Sequence, residues 1–347
     1  MNLSSLIEHF GEPTILATGG VLIGALFGYF AQRSKFCLRS AALEFWHWRF
    51  GEKLAVWLLT FSSALVTVQW LTLAHHMDAS STRQIAATGS ISGAIVGGLL
   101  FGAGMILTRG CVSRLLVLSA NGNLRALLSG LVFAVTTQAA LAGVLAPLRE
   151  SISSWWLVSG GDARNLLAIT HLGNAGGLAV GIAWLMAAIY FSLRSGQGLW
   201  KWVGGIGAGL SVALAWSFNY EVSRQSFQVI PVQGMTFSGP SAEWLMRLVA
   251  TPDLEIGFNF GLLPGVFVGS FLGSWQAKEF KIEGFTDGHS MPRYIAGSIL
   301  MGFGAMLAGG CAVGAGITGG SIFALTAWIA LACMWLGAAV ADRLVDH

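Results

Sequence analysis

Long apolar runs separated by short polar segments make up most of the chain. A helix needs about 20 apolar residues to cross the hydrocarbon core of a bilayer. Runs of that kind predict nine transmembrane helices, near residues 14–32, 54–74, 89–108, 124–146, 172–193, 200–218, 258–277, 292–309 and 322–341. The pattern therefore predicts an all-α polytopic membrane protein that forms a single transmembrane domain over residues 1–347.

Composition agrees with this class and adds one unusual feature. Of 347 residues, 54% are hydrophobic and 10% are charged, whereas soluble domains carry roughly 25% charged residues. Glycine occurs 47 times, which is about twice its usual frequency. The apolar fraction excludes a disordered chain, so the glycines require an explanation within a membrane fold.

The basic residues predict the orientation of the chain. Positively charged loop residues favour the cytoplasmic side. With the N-terminus outside, the inner segments hold 14 of the 19 Lys and Arg residues and the outer segments hold five. We therefore expect the N-terminus outside and the C-terminus in the cytoplasm.

An internal repeat links two glycine-rich segments that end in cysteine. A shift of 200 residues aligns Gly97–Cys111 with Gly297–Cys311, with seven identities in 15 positions. The segments end the third and eighth predicted spans, which are five spans apart, so they point in opposite directions through the bilayer. This predicts an inverted-topology repeat, as in many transporters, with halves at roughly 14–146 and 172–342.

The glycines also indicate irregular backbone next to these spans. Residues 109–116 and 309–320 are poor candidates for continuous helix, and we expect tight turns or re-entrant loops there. Such loops are tolerated in a membrane only where they are buried or line a cavity. Half-helices starting after them would point their positive N-terminal ends at the midplane, where an anion would be favoured.

The cysteines differ in their surroundings. Arg33, Lys35 and Arg39 surround Cys37 and would both mark an inner helix end and attract an anion. Arg109 and Arg114 flank Cys111, and the sequence leaves open whether they face the cytoplasm. Cys311 has no charged neighbour and would act as a weak S–H donor. Cys333 lies in the middle of a span and is interpreted as a packing residue.

Other functional classes find no support in the residues. The four cysteines form no Cys-x-x-Cys pair, which argues against a structural zinc site or a thioredoxin-like centre. The net charge of +3 is too small to indicate nucleic-acid binding. We therefore predict no metal, no cofactor, no nucleic-acid partner and no enzymatic activity.

Three motifs resemble those of the YeeE/YedE membrane proteins. They are Gln-Arg-x-x-Phe-Cys at 32–37, Gly-Cys at 110–111 and Gly-Gly-Cys-x-x-Gly at 309–314. The resemblance covers nearly the whole chain. It implies uptake of thiosulfate or a related sulfur compound across the bacterial inner membrane, through a narrow path between re-entrant half-helices.

The resemblance also implies specific residues and a partner. Cysteines lining the path are thought to pass the anion inward through S–H···S hydrogen bonds, and a TusA-like cytoplasmic sulfur carrier is the implied partner. The residues expected along the path are Cys37, Cys111, Cys311, Arg109, Arg114, Gly110 and Gly310.

This chain departs from the family pattern at one motif. Arg109 and Arg114 stand where family members usually have glycines, so they add affinity for an anion or indicate another substrate. Two alternatives remain open: a permease for another small anion, such as sulfite or a selenium species, and a membrane thiol oxidoreductase.

Overall fold

The computed structural model describes residues 7, 9–226, 230–249, 256–284 and 291–345, and these are almost entirely helical. The main helices are α1 (Glu12–Ser34), α2 (Leu38–Trp46), α3 (Glu52–Leu73), α4 (Ile91–Leu107), α5 (Val112–Ala120), α6 (Leu124–Ala142), α7 (Ala146–Ser154), α8 (Gly173–Arg194), α9 (Leu199–Gln225), α10 (Ser238–Val249), α11 (Phe258–Gln276), α12 (Met291–Leu307), the π-helix α13 (Ala312–Thr318) and α14 (Leu325–Val345). Gly89–Ser90 and Leu157–Val158 form a short antiparallel strand pair.

Eight helical segments within the described ranges are long and apolar enough to cross a membrane, which confirms the predicted all-α membrane fold. The remaining predicted span, 200–218, lies within α9. That helix has 27 residues and would extend about 40 Å. Its glycines, serines and tryptophans make it less apolar than the other eight.

The segments around the cysteines are more helical than predicted. We expected loops at 109–116 and 309–320, but regular helix begins at Val112 and a π-helix begins at Ala312. The irregular backbone is limited to the few residues before each cysteine. The prediction placed too much weight on the glycines, since the residues of α5 contain none.

Helices α4 and α12, which contain the two repeat segments, run antiparallel in direct backbone contact. A Cβ on Gly97 would lie 2.6 Å from the carbonyl oxygen of Gly304, and one on Gly104 would lie 2.5 Å from that of Gly297. Only glycine permits this approach. Gly97 therefore contacts Gly304, which is the repeat counterpart of Gly104, and Gly104 contacts Gly297, which is the counterpart of Gly97. A two-fold axis between the two helices requires this crossed pairing.

A second glycine contact joins helices that are far apart in the sequence. Gly20 and Gly24 of α1 lie against Phe258 and Leu262 of α11, so the two helices run parallel. Helix α9 packs on both α1 and α3. These contacts hold the C-terminal end of α1 next to the residues that follow α11.

Candidate functional site

Cys37, Cys111 and Cys311 share one local structure. Each is the N-cap residue of a short helix and has extended backbone angles. Their side chains are 6%, 0% and 1% exposed, respectively. Each thiol therefore lies inside the protein at the positive end of a helix that starts beside it.

A turn with a positive φ angle precedes each cysteine by two residues. The angle is 57° at Lys35, 56° at Arg109 and 76° at Gly309. A residue in this conformation ends the preceding helix and reverses the chain. Side chains other than glycine rarely adopt it, so Lys35 and Arg109 were not recognisable as turn residues from the sequence.

Two of the three predicted cysteines lie together. The side chains of Cys37 and Cys111 lie close enough to interact with each other, and the Cys111 sulfur lies 3.3 Å from Oγ of Ser113. Cys37 and Cys111 follow different long helices, so their approach is a tertiary contact. It places two buried thiols and a hydroxyl at one point.

Cys311 starts a separate buried segment. Among the described residues its thiol makes no hydrogen bond to Cys37 or Cys111. The π-helix after it is held by Gln84, whose Nε2 donates to the Gly314 oxygen at 3.2 Å, and by the Thr318 hydroxyl, which donates to the Met235 oxygen at 2.7 Å. Within the described part of the chain, no group of three or more His, Cys, Asp or Glu side chains could hold a metal ion.

A cavity of about 420 Å³ opens next to the turn before Cys311. We call it the outer cavity. Gly309 lines it, together with the arginines Arg83, Arg149 and Arg164 and the acid Glu243. It gives a polar route from the protein surface to within two residues of Cys311.

Arg164 is the most buried charge in that cavity wall, with 7% exposure. Its Nη1 donates to the Ala87 oxygen at 2.6 Å and its Nη2 donates to Oγ1 of Thr326 at 2.8 Å. Burial lowers the pKa of Arg164, yet a guanidinium stays protonated in proteins. Sequence reasoning counted Arg164 only as an outer loop charge.

Four polar residues gather near Cys37 and Cys111, and we call them the inner cluster: Gln32, Lys35, Arg114 and Glu279. Nη1 of Arg114 lies 3.4 Å from Oε1 of Gln32, and Nε2 of Gln32 donates to Oε2 of Glu279 at 3.0 Å. Nζ of Lys35 lies 3.1 Å from Oε1 of Glu279. Of these residues only Arg114 was among the predicted path residues.

The other predicted path residues belong to the turns before the cysteines. Arg109 is exposed, and Gly309, its counterpart in the repeat, lines the outer cavity. The carbonyl of Gly110 accepts a hydrogen bond from the Thr108 hydroxyl at 2.8 Å. A Cβ on Gly310 would lie 2.8 Å from the Ala315 nitrogen, so the tight turn at that position needs glycine.

Comparison with known proteins places the chain among sulfur transporters. A sequence profile for the family described as sulphur transport matches residues 33–340. A thiosulfate transporter TsuA of Escherichia coli is 26% identical over 94% of this chain and 94% of its own length. One of Spirochaeta thermophila is 24% identical over 92% of this chain and 96% of its own length.

The matched region contains all three turns and all three buried cysteines. The chain therefore belongs to the sulphur transport family, the YeeE/YedE proteins that its motifs resemble.

Proposed function

We propose that the protein takes up thiosulfate or a related sulfur-containing anion across the bacterial inner membrane. The anion would enter the outer cavity, pass Cys311, reach Cys111 and Cys37, and leave by the inner cluster. The observation that carries this proposal is the shared structure of the three cysteines, each buried at the start of a short helix. Both curated relatives are named thiosulfate transporters, which supports the choice of anion.

The chemistry of this path suits an anion that must be released again. A dianion cannot cross hydrocarbon without donors and dipoles that replace its water. Helix N-termini supply partial positive charge, and thiols supply weak S–H donors. Because several weak contacts bind loosely, the anion can leave each one for the next. Thiols also favour the soft terminal sulfur of thiosulfate over the hard oxygens of sulfate.

The outer cavity would collect the anion before it reaches Cys311. Three arginines and one carboxylate, Glu243, line it, and a cleft with an excess of positive charge raises the local concentration of anions. Arg164 keeps its positive charge with no carboxylate among its hydrogen-bond partners in the described residues. A buried cation of this kind favours an anion nearby.

The orientation and partner follow from the same scheme. With the N-terminus outside and the C-terminus in the cytoplasm, the inner cluster would face the cytoplasm, where a TusA-like sulfur carrier would accept the product. We also propose that the halves at roughly 14–146 and 172–342 are related by the two-fold axis between α4 and α12. The antiparallel glycine contacts of those helices support this relation.

The test is uptake of radiolabelled thiosulfate by cells that lack other uptake systems. Cys37→Ala, Cys111→Ala and Cys311→Ala should each lower the initial rate at least about tenfold, because each removes one donor from a narrow path. Cys333→Ala is the matched control, since Cys333 is a half-buried cysteine outside the three turns.

Growth on thiosulfate as sole sulfur source gives a second readout, with membrane abundance checked for each variant. Normal uptake in all three path variants would refute the cysteine path. Inhibition of labelled thiosulfate uptake at much lower concentrations of sulfite than of unlabelled thiosulfate would refute the choice of anion.

A further inference from the structure

We propose that Arg114 is the last anion-binding group of the path, and that Lys35 keeps it available by holding the Glu279 carboxylate away from it. This inference rests on the proposed function, because it assumes that an anion reaches Cys37 and Cys111. It adds that the transported anion and the carboxylate of Glu279 compete for the guanidinium of Arg114.

The position of Arg114 supports a direct role. It lies in the first turn of α5, three residues after Cys111, and near the side chains of Cys37 and Cys111. Among the described residues, Gln32 is the one group to which its guanidinium donates a hydrogen bond, over 3.4 Å. A guanidinium has five N–H donors, so most of them remain for an anion.

Glu279 is the competing anion. Gln32, which is 3% exposed, bridges its carboxylate and Arg114 through one hydrogen bond to each. Glu279 and Arg114 also interact by charge. A carboxylate paired with Arg114 in bidentate geometry would take two of its five N–H donors and neutralise its charge, which would weaken its attraction for the transported anion.

Lys35 prevents that pairing. Its ammonium lies 3.1 Å from one oxygen of Glu279 while Gln32 donates to the other oxygen. Both carboxylate oxygens therefore have partners other than Arg114, and Gln32 keeps the carboxylate from touching the guanidinium directly. Lys35 also forms the positive-φ turn before Cys37, so its backbone lies two residues from a cysteine of the proposed path.

The packing of α1 against α11 fixes the backbone positions of Gln32 and Glu279. Gln32 ends α1 and Glu279 follows α11, and these helices pack in parallel through glycines. The Tyr29 hydroxyl donates to Gln276 across the same helix pair. Arg114 belongs to α5, outside that pair. The weak Arg114–Gln32 hydrogen bond can therefore break without disturbing either helix.

Concentration-dependent thiosulfate uptake into proteoliposomes tests the proposal. Arg114→Gln should raise the apparent KM about tenfold, the loss expected for one charge-assisted hydrogen bond. Lys35→Met should raise it similarly, because the freed carboxylate turns to Arg114. The double variant Lys35→Met/Glu279→Gln should return to within about twofold of wild type, because the competing charge is gone.

Arg49→Gln serves as control, because Arg49 is an exposed cation of the α2–α3 loop outside the inner cluster. Two results would overturn the proposal: an unchanged KM in Arg114→Gln, or a double variant as impaired as Lys35→Met. In both cases Cys111→Ala is measured in parallel. Loss of uptake in Cys111→Ala would support the cysteine path and refute only the competition between the anion and Glu279 for Arg114. Normal uptake in Cys111→Ala would refute the cysteine path itself.

Discussion

Replacing Gly104 with alanine tests the close contact between α4 and α12, on which the proposed two-fold relation of the halves depends. In α4 this residue faces α12, and an added Cβ would lie 2.5 Å from the Gly297 oxygen, 2.7 Å from the Met301 nitrogen and 2.9 Å from the Met301 Cβ. Two of these three atoms are backbone atoms of a helix, which cannot rotate away. The helices would have to separate by about 0.9 Å to reach ordinary contact.

The expected loss of stability follows from two opposing effects. Overpacking of this kind costs about 1–3 kcal/mol, and separation of α4 from α12 would loosen their other glycine contacts, which puts the cost near the upper end. Replacing glycine by alanine within a helix contributes about 1 kcal/mol in the opposite direction. The net expectation is a loss of roughly 2 kcal/mol.

Thermal unfolding in detergent, followed by tryptophan fluorescence, measures this difference. Gly130→Ala is the matched control, because Gly130 lies within α6 and a Cβ there would meet nothing within 4 Å. Gly130→Ala should unfold at or above the wild-type temperature, and Gly104→Ala about 4 °C below it. If Gly104→Ala unfolds together with Gly130→Ala, the close approach of α4 and α12 does not exist.

Two further predictions concern the outer cavity. Arg164→Gln should raise the apparent KM for thiosulfate about tenfold, since it removes a buried cation and its bonds to Ala87 and Thr326. Concentration-dependent uptake checks this, and an unchanged KM would leave Arg164 with a purely structural role. Burial raises the pKa of Glu243 above its ordinary value of 4.5, with Asn259 and Arg83 opposing the shift. The folded state therefore holds that proton more tightly than the unfolded state, so stability should fall as the pH rises from 4.5 through the raised pKa. Glu243→Gln should remove this slope in melting temperatures measured between pH 4 and 8, and an identical slope would refute it.

The fold was predictable to the extent that it depends on hydrophobicity. Apolar runs located the spans, because length and hydropathy alone decide which segments cross a bilayer. The shift of 200 residues also singled out the four glycines that meet between α4 and α12, although it aligned Gly97 with Gly297 whereas Gly97 contacts Gly304. The short helix α5 was not predicted, because its packing against α6 and α11 depends on the tertiary fold.

The candidate site was less accessible from the sequence. The motifs singled out Cys37 and Cys111, but their contact brings together residues that are 74 positions apart on separate helices. Arg164 and Glu279 lie in segments with no motif, and only the folded chain shows that one lines the outer cavity and the other belongs to the inner cluster. No local pattern could have identified either one.

The parallel contact between α1 and α11 sets the order in which the chain can mature. Helix α1 leaves the ribosome well before α11, which is synthesised more than 220 residues later. At ordinary rates of translation this delay is roughly 10 to 50 s. Throughout that time the glycine face of α1 must be covered by lipid or an insertion factor. The hydrogen bond from Gln32 to Glu279 cannot form until the residues after α11 have been synthesised. The α1–α11 pair therefore forms only after α11 has been synthesised, and a chain truncated before α11 should be degraded rather than accumulate in the membrane.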